Sequence, residues 1–472
     1  MKAIKYLVMG VLLTGFSATA MAQEEEAKAA IAAIKSNAAD KAELVKIAQK
    51  KNKKNAENLV KIGRTFFEAN DTAEARRFAN LADAAAKHKC APAFILMGDI
   101  EAIGNEGGKA AGFYNQATFA DPKDPTGYYK YALVYRKISP RGAVQKLQDL
   151  HAQRPDIEVN EMIGRIYSLS LKYNDAIEAW KTVPVQKMER ANIVEYALAN
   201  YFLGKHEDGL RVAKEGLQKF PRHGALNRLA MMFNYELKNY EEAQQFGDAL
   251  FNRTDSAKFS NVDYFYYGLT HDALKNYDRA IEEYNKAIND TASSSLIKKE
   301  NIIRKLSDAY AAKEDYVNAI AQYEEFLKVA EKPSANDYAG LGTLYMQQAT
   351  GKQGAERDDI FKKADQVYSD LAQKYENASE YATLMRARVN AQMDPKSEKG
   401  LAKPFYEQLI STISPKAEKD NSDVARLKEA YSYMISYAFL VKNDKATAKD
   451  YATKLQEIDP DNEIAKQVLS MK

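Results

Sequence analysis

Residues 98–122 read GDIEAIGNEGGKAAGFYNQATFADP, and five of them set a pattern: Gly98, Ala110 twelve positions on, then Tyr114, Ala117 and Pro122. The pattern returns along the chain with deviations: Gly63, Ala75, Ala79, Ala82; Gly164, Ala176, Trp180, Val183; Ala197, Gly209, Ala213, Gly216, Pro221; Gly268, Ala280, Tyr284, Ala287; and Ser307, Ala319, Tyr323, Phe326. Neighbouring anchors stand roughly 34 residues apart, the period of a helix-turn-helix array. The chain therefore reads as one helical hairpin copied many times.

In these residues and their order the chain resembles the tetratricopeptide repeat family, over nearly everything after its first fifty residues. The resemblance implies that the small residues let two antiparallel helices approach closely while the larger ones fill the gap. The expected fold is all-α: an α-solenoid, a right-handed superhelix of about ten to eleven hairpins. Such a likeness speaks to fold and leaves function to be argued from sites.

Composition agrees. Charged residues make up 28% of the chain and hydrophobic ones 46%, and the 12 prolines fall mostly where hairpins hand over, so helices run uninterrupted between them. The 68 basic and 65 acidic residues nearly cancel to +3 and are interspersed, which gives no footprint for nucleic acid. A solenoid grows by stacking, so one long domain is expected despite the 472 residues.

Its parts divide as follows. Lys2 and Lys5, the mostly apolar run Tyr6 to Phe16 and the small residues of Ala20-Met21-Ala22 predict a signal peptide over residues 1–22, cut before Gln23. Residues 23–55 form a helical leader or cap, 56–334 the regular array, 335–462 looser repeats with insertions, and 463–472 a closing helix. About ten extra residues between Gly342 and Ala364 predict a lengthened hairpin, as a loop or a helix extension. The polar stretch Ser414 to Ser422 is the candidate hinge. No cysteine follows the signal to take a lipid, so the chain is expected to be exported, periplasmic or associated with the outer membrane of a Gram-negative cell, without an integral span after cleavage. Cys90, the only cysteine, reads as a partly buried structural thiol.

Chemistry is sparse. The five histidines His88, His151, His206, His223 and His271 are scattered over different repeats without ligand spacing, and no nucleophile elbow or phosphate loop is present. The expectation is a non-enzymatic protein with no cofactor and no metal.

Thirty tyrosines call for explanation, and most, such as Tyr114, Tyr167, Tyr264, Tyr267, Tyr284, Tyr310 and Tyr323, fall at filling positions of the repeat. Others do not. In the family the first helix of each hairpin lines a concave groove, with outward positions one residue after the anchor, three before it and four or five after it. Carried onto the anchors Ala197, Met231 and Gly268, this implies an apolar wall of Leu198, Tyr201, Phe202, Met232, Tyr235, Phe265 and Tyr266, rimmed by Arg228, Glu195 and Asp272. Aromatic anchors with charges for register suit a peptide or partner helix. Some family members grip a terminal carboxylate; the matching positions here, Val60 and Arg64, Tyr129 and Leu133, Arg304 and Asp308, do not support that grip.

Asp71-Thr72-Ala73, Asp255-Ser256-Ala257 and Asp290-Thr291-Ala292 resemble the acceptor triplet for O-glycans of some Gram-negative secretory pathways, which points to Thr72, Ser256 and Thr291; the same residues also make good turns and caps. The expected function is a scaffold or adaptor of the cell envelope that holds a protein or peptide segment in its groove. The alternative is a glycan- or nutrient-binding protein built on the same repeats.

Overall fold

The computed structural model describes residues 18–255, 258–290 and 297–471, with side chains from Gln23 onward. Residues 1–17 of the expected signal peptide, Ser256, Thr291 and Lys472 lie outside the described residues. Regular structure among the described residues is helical throughout: twenty-five α-helices, with single 3-10 turns at 185–187 and 376–378 and a π turn at 437–441. The chain divides after Phe233 into two units.

In the first unit the helices pack as consecutive hairpins: α1 (Ala18–Ser36) with α2 (Lys41–Lys51), α3 (Ala56–Glu68) with α4 (Thr72–Ala85), α5 (Ala91–Ile103) with α6 (Gly107–Ala120), α7 (Pro125–Tyr135) with α8 (Pro140–Gln153), α9 (Asn160–Ser168) with α10 (Tyr173–Lys181), and α11 (Arg190–Phe202) with α12 (His206–Lys219). The division falls inside α13 (Gly224–Glu236). In the second unit α14 (Tyr240–Arg253) packs on α15 (Asn261–Ala273), which pairs with α16 (Tyr277–Asn289); then come α17 (Lys299–Ala312) with α18 (Tyr316–Val329), α19 (Ala335–Ala349) with α20 (Gly354–Lys374), α21 (Ser379–Met393) with α22 (Lys403–Ile413), and α23 (Asn421–Ser436) with α24 (Lys445–Ile458), followed by α25 (Glu463–Ser470).

The repeated residues explain the pairing. A Cβ added at Gly98 would fall on the ring of Tyr114, one at Gly164 on Trp180 and one at Gly268 on Tyr284, in each case sixteen residues on. The glycine lets the two backbones approach until the ring lies flat across the gap, and those three rings are almost wholly buried. Where Ser307 replaces the glycine, its hydroxyl donates to the Ala319 carbonyl across the hairpin at 2.7 Å, which satisfies a fully buried polar group. Most turns between paired helices are short, and many of them pass through a left-handed residue, such as Asn70, Asn105, Gly204, Lys238, Lys275 or Glu314. Asp71, Asp124, Ser139 and Asp315 then cap the following helix by accepting from a backbone N–H.

The leader is not loose. Asn52 and Asn58, both buried, donate side-chain hydrogen bonds to the Gln23 carbonyl at 3.0 and 3.4 Å, and Asn58 also donates to Asn52 Oδ1 at 2.8 Å, so α1 is tied to α3. The extra residues after Gly342 lengthen a helix: α20 has 21 residues, and Gly342 meets the Tyr368 ring twenty-six residues on instead of sixteen. Ile360 and Phe361 in the added turns are buried, which is why the insertion is helical and packed instead of looped.

The stretch expected as a hinge, Ser414 to Ser422, lacks regular structure over 414–420 and carries ion pairs to its neighbours. Lys416 bridges Glu380 at 2.8 Å and Asp423 at 2.9 Å, Arg426 reaches Glu380 at 2.9 Å, and Asp420 with Asp423 forms a capping box on α23. A polar stretch was legible in the sequence; its ion-pair partners were not.

Candidate protein-binding face

The first helix of each hairpin carries the positions assigned to the groove. In the opening hairpins these are consumed internally. Asp99, one residue after the Gly98 anchor, accepts from Lys130 Nζ at 2.8 Å and Tyr114 Oη at 2.7 Å and pairs with Arg64. Burial pushes its carboxyl up, but the donors from Arg64, Lys130 and Tyr114 outweigh that and hold it below the usual carboxylate range. Three successive hairpins are thus clamped through one carboxylate, a residue that the sequence reading passed over because nothing in a linear string marks Arg64, Asp99 and Lys130 as neighbours. Arg304 is engaged in the same way in the second unit, pairing with Asp308 at 3.2 Å and Asp337 at 3.3 Å while lying over the Tyr323 ring.

The wall differs at α9 and α11. Leu198 and Tyr201 are half-buried and Phe202 is 52% exposed. Tyr201 meets Phe202 edge-on at 6.1 Å, His206 at 6.3 Å and Phe233 at 6.0 Å, so its half-buried ring is held in place. Phe202 in turn stacks on Tyr173 at 5.0 Å. Beside them lie Glu195 and Arg165. Among the described residues Glu195 Oε2 and Arg165 Nε are buried atoms with no hydrogen-bond partner. Burial pushes the Glu195 carboxyl up, with the Arg165 charge and a Ser168 hydrogen bond pulling it partly back.

Three members of the expected wall are buried side chains instead of presented ones. Met232, in the first unit, is 6% exposed; Phe265 and Tyr266, in the second, are 9% and 7% exposed. The reason in the second unit is ring-on-ring packing: Tyr266 lies perpendicular to Tyr235 at 5.7 Å and donates its hydroxyl to Glu236 at 2.9 Å, while Phe265 rests 6.0 Å from Tyr284. Tyr235 stays half-buried between Tyr266 and Tyr240. Rim residue Asp272 is half-buried, its carboxyl pushed up by burial, pulled back by Lys305 and pushed up again by Asp308.

With the anchors, the sixteen-residue interlock and the paired first helices in view, the repeating unit is defined. It is a helical hairpin of the kind that the resemblance to the tetratricopeptide repeat implies. No family model matches the chain, and no curated protein matches it. Solved structures of tetratricopeptide repeat proteins do resemble it. The C-terminal part of such a protein from Cytophaga hutchinsonii is 22% identical over 59% of this chain and 100% of its own, with a TM-score of 0.45. A tetratricopeptide repeat protein from Parabacteroides merdae is 16% identical over 54% of this chain and 98% of its own, at 0.35. PilF of Pseudomonas aeruginosa is 13% identical over 47% of this chain and 96% of its own, at 0.36. Each likeness is one of fold.

At the first acceptor triplet Asp71 caps α4, accepting from the Glu74 N–H at 3.0 Å, and Thr72 stands exposed as the first residue of that helix. Cys90 is buried at the start of α5; burial pushes its thiol up, offset in part by a hydrogen bond from the Ala93 N–H.

Proposed function

We propose that this tetratricopeptide repeat protein is a non-enzymatic scaffold or adaptor that holds a protein or peptide segment against the first helices of its hairpins, in the cell envelope of a Gram-negative bacterium. One observation carries the reading: at α9 and α11 an apolar surface of Leu198, Tyr201 and Phe202 adjoins two buried polar atoms, Glu195 Oε2 and Arg165 Nε, that have no partner within the described residues. An extended or helical peptide brings apolar side chains that would cover the surface of Leu198, Tyr201 and Phe202. Elsewhere the equivalent positions are satisfied by Arg64, Asp99 and Lys130 or by the Tyr235 and Tyr266 rings, which supports placing the site on α9 and α11.

The envelope location rests on the sequence of residues 1–22, and the assignment of 23–55 as leader, 56–334 and 335–462 as array and 463–472 as cap goes with it. The test is crosslinking in the native envelope with mass spectrometry, run side by side on the wild type and on Leu198→Ala/Tyr201→Ala. A stoichiometric partner captured by the wild type and lost in the variant at unchanged helicity supports the groove; identical capture by both overturns it.

A further inference from the structure

The turns joining the paired helices of the first unit carry large apolar side chains in the open. Ile103, Ile138, Leu169, Leu171 and Phe202 stand at four consecutive turns, each 42–74% exposed. Leu171 is the most telling. It occupies the left-handed position of its turn, φ 58°, which other turns give to asparagine, glycine, lysine or glutamate. A leucine there bears the conformational cost of that region and, at 74% exposed, gains no burial to offset it. Adjacent turns touch: Tyr173 stacks on Phe202 and Lys205 Nζ donates to Asn174 at 3.3 Å.

Cations flank the row. Lys137, Arg141 and Lys172 are exposed and, among the described residues, enter no ion pair; Lys205 adds a fourth beside Phe202. The acids at the same turns, Asp175, Glu207 and Asp208, sit in the first turn of α10 and α12, where the helix dipole offsets carboxylate charge, and Asp208 also faces Arg211 at 4.0 Å. Isolated tips this exposed have no walls to enclose a peptide. A lipid interface needs none: apolar tips enter the acyl boundary while ammonium and guanidinium groups meet headgroup phosphates.

We propose that the turn edge formed by α7–α8, α9–α10 and α11–α12 docks on an anionic lipid surface. No described helix is long and apolar enough to cross a membrane, so this contact is peripheral. It uses the turns and not the face of α11 that holds Leu198, and it shares only Phe202 with the groove reading.

The probe is the full chain with Leu171→Trp, mixed with vesicles of phosphatidylcholine alone or with about 30 mol% phosphatidylglycerol. Trp180, the only native tryptophan, is fully buried and gives a constant background. The introduced indole is expected to shift its emission to the blue with anionic vesicles only. Adding Lys137→Glu/Arg141→Glu/Lys172→Glu, or Ile138→Ser/Leu169→Ser, should raise the lipid concentration needed by at least about tenfold, and added salt should do the same. All of these side chains are exposed, so thermal unfolding is expected to stay unchanged and serves as the folding check. Absence of the shift, or a shift indifferent to headgroup charge and to the charge-reversed variant, overturns the proposal; binding to an acidic protein without any vesicle-induced shift does so too.

Discussion

At the residue scale, space and charge decide which positions tolerate change. Gly98 lies against the Tyr114 ring, so Gly98→Ala forces either the ring or the backbone to move and should cost about 1–3 kcal/mol, read from urea unfolding. Gly107 and Gly108, at the start of α6, have nothing within 4 Å of an added Cβ, and alanine there should be neutral or stabilising by up to about 1 kcal/mol. His271 sets a pH dependence. It is 4% exposed, and among the described residues neither ring nitrogen has a hydrogen-bond partner; burial first, then the Arg279 charge, lower its proton affinity, against a weaker pull from Asp248 and Glu282. The folded chain therefore keeps His271 neutral while the unfolded chain takes up a proton near pH 6.5. Its stability is fully present above that pH and is lost as pH falls from about 6.5 toward the depressed folded value. His223 is pushed the same way by burial with Arg190 and Arg228. The urea midpoint should drop between pH 7.5 and 5.5, and drop less in His271→Gln; an equal drop in both would remove His271 from the account.

At the element scale, the repeats show how far a linear pattern carries. The hairpins of α5–α6, α9–α10 and α15–α16 were legible because one spacing recurs, and a recurring spacing is a recurring contact. The extension in α20 was legible as ten surplus residues but not as helix, since that depends on Ile360 and Phe361 finding cover against α19. Phe361→Ala should then cost about 3 kcal/mol, checked by urea unfolding, and should open the segment after Thr350 to limited proteolysis. Candidate-site residues divide by the same logic. Leu198, Tyr201 and Phe202, after the anchor of α11, keep exposed surface, whereas Phe265 and Tyr266, before the anchor of α15, are buried by neighbouring rings. Equivalence of position is written in the sequence; cover is supplied by whatever side chains arrive from other helices.

At the whole-molecule scale the remaining expectations concern processing. Intact mass of the native protein should show loss of residues 1–22, leaving Gln23 first, a residue whose carbonyl is already held by Asn52 and Asn58. Added sugar mass that disappears in Thr72→Ala, Ser256→Ala and Thr291→Ala together would establish glycosylation; a bare mass would remove it. By itself the sequence determined the helical class, the repeat and the place of nearly every hairpin, because those follow from periodic spacing of small, aromatic and turn residues along one chain. Only the tertiary structure decided that Asp99 clamps three hairpins, that Lys416 pairs with Glu380 and Asp423 and that three of seven wall residues are covered. Ion pairs and burial join residues 30 or more positions apart, and no local pattern records which of many acids and bases will meet.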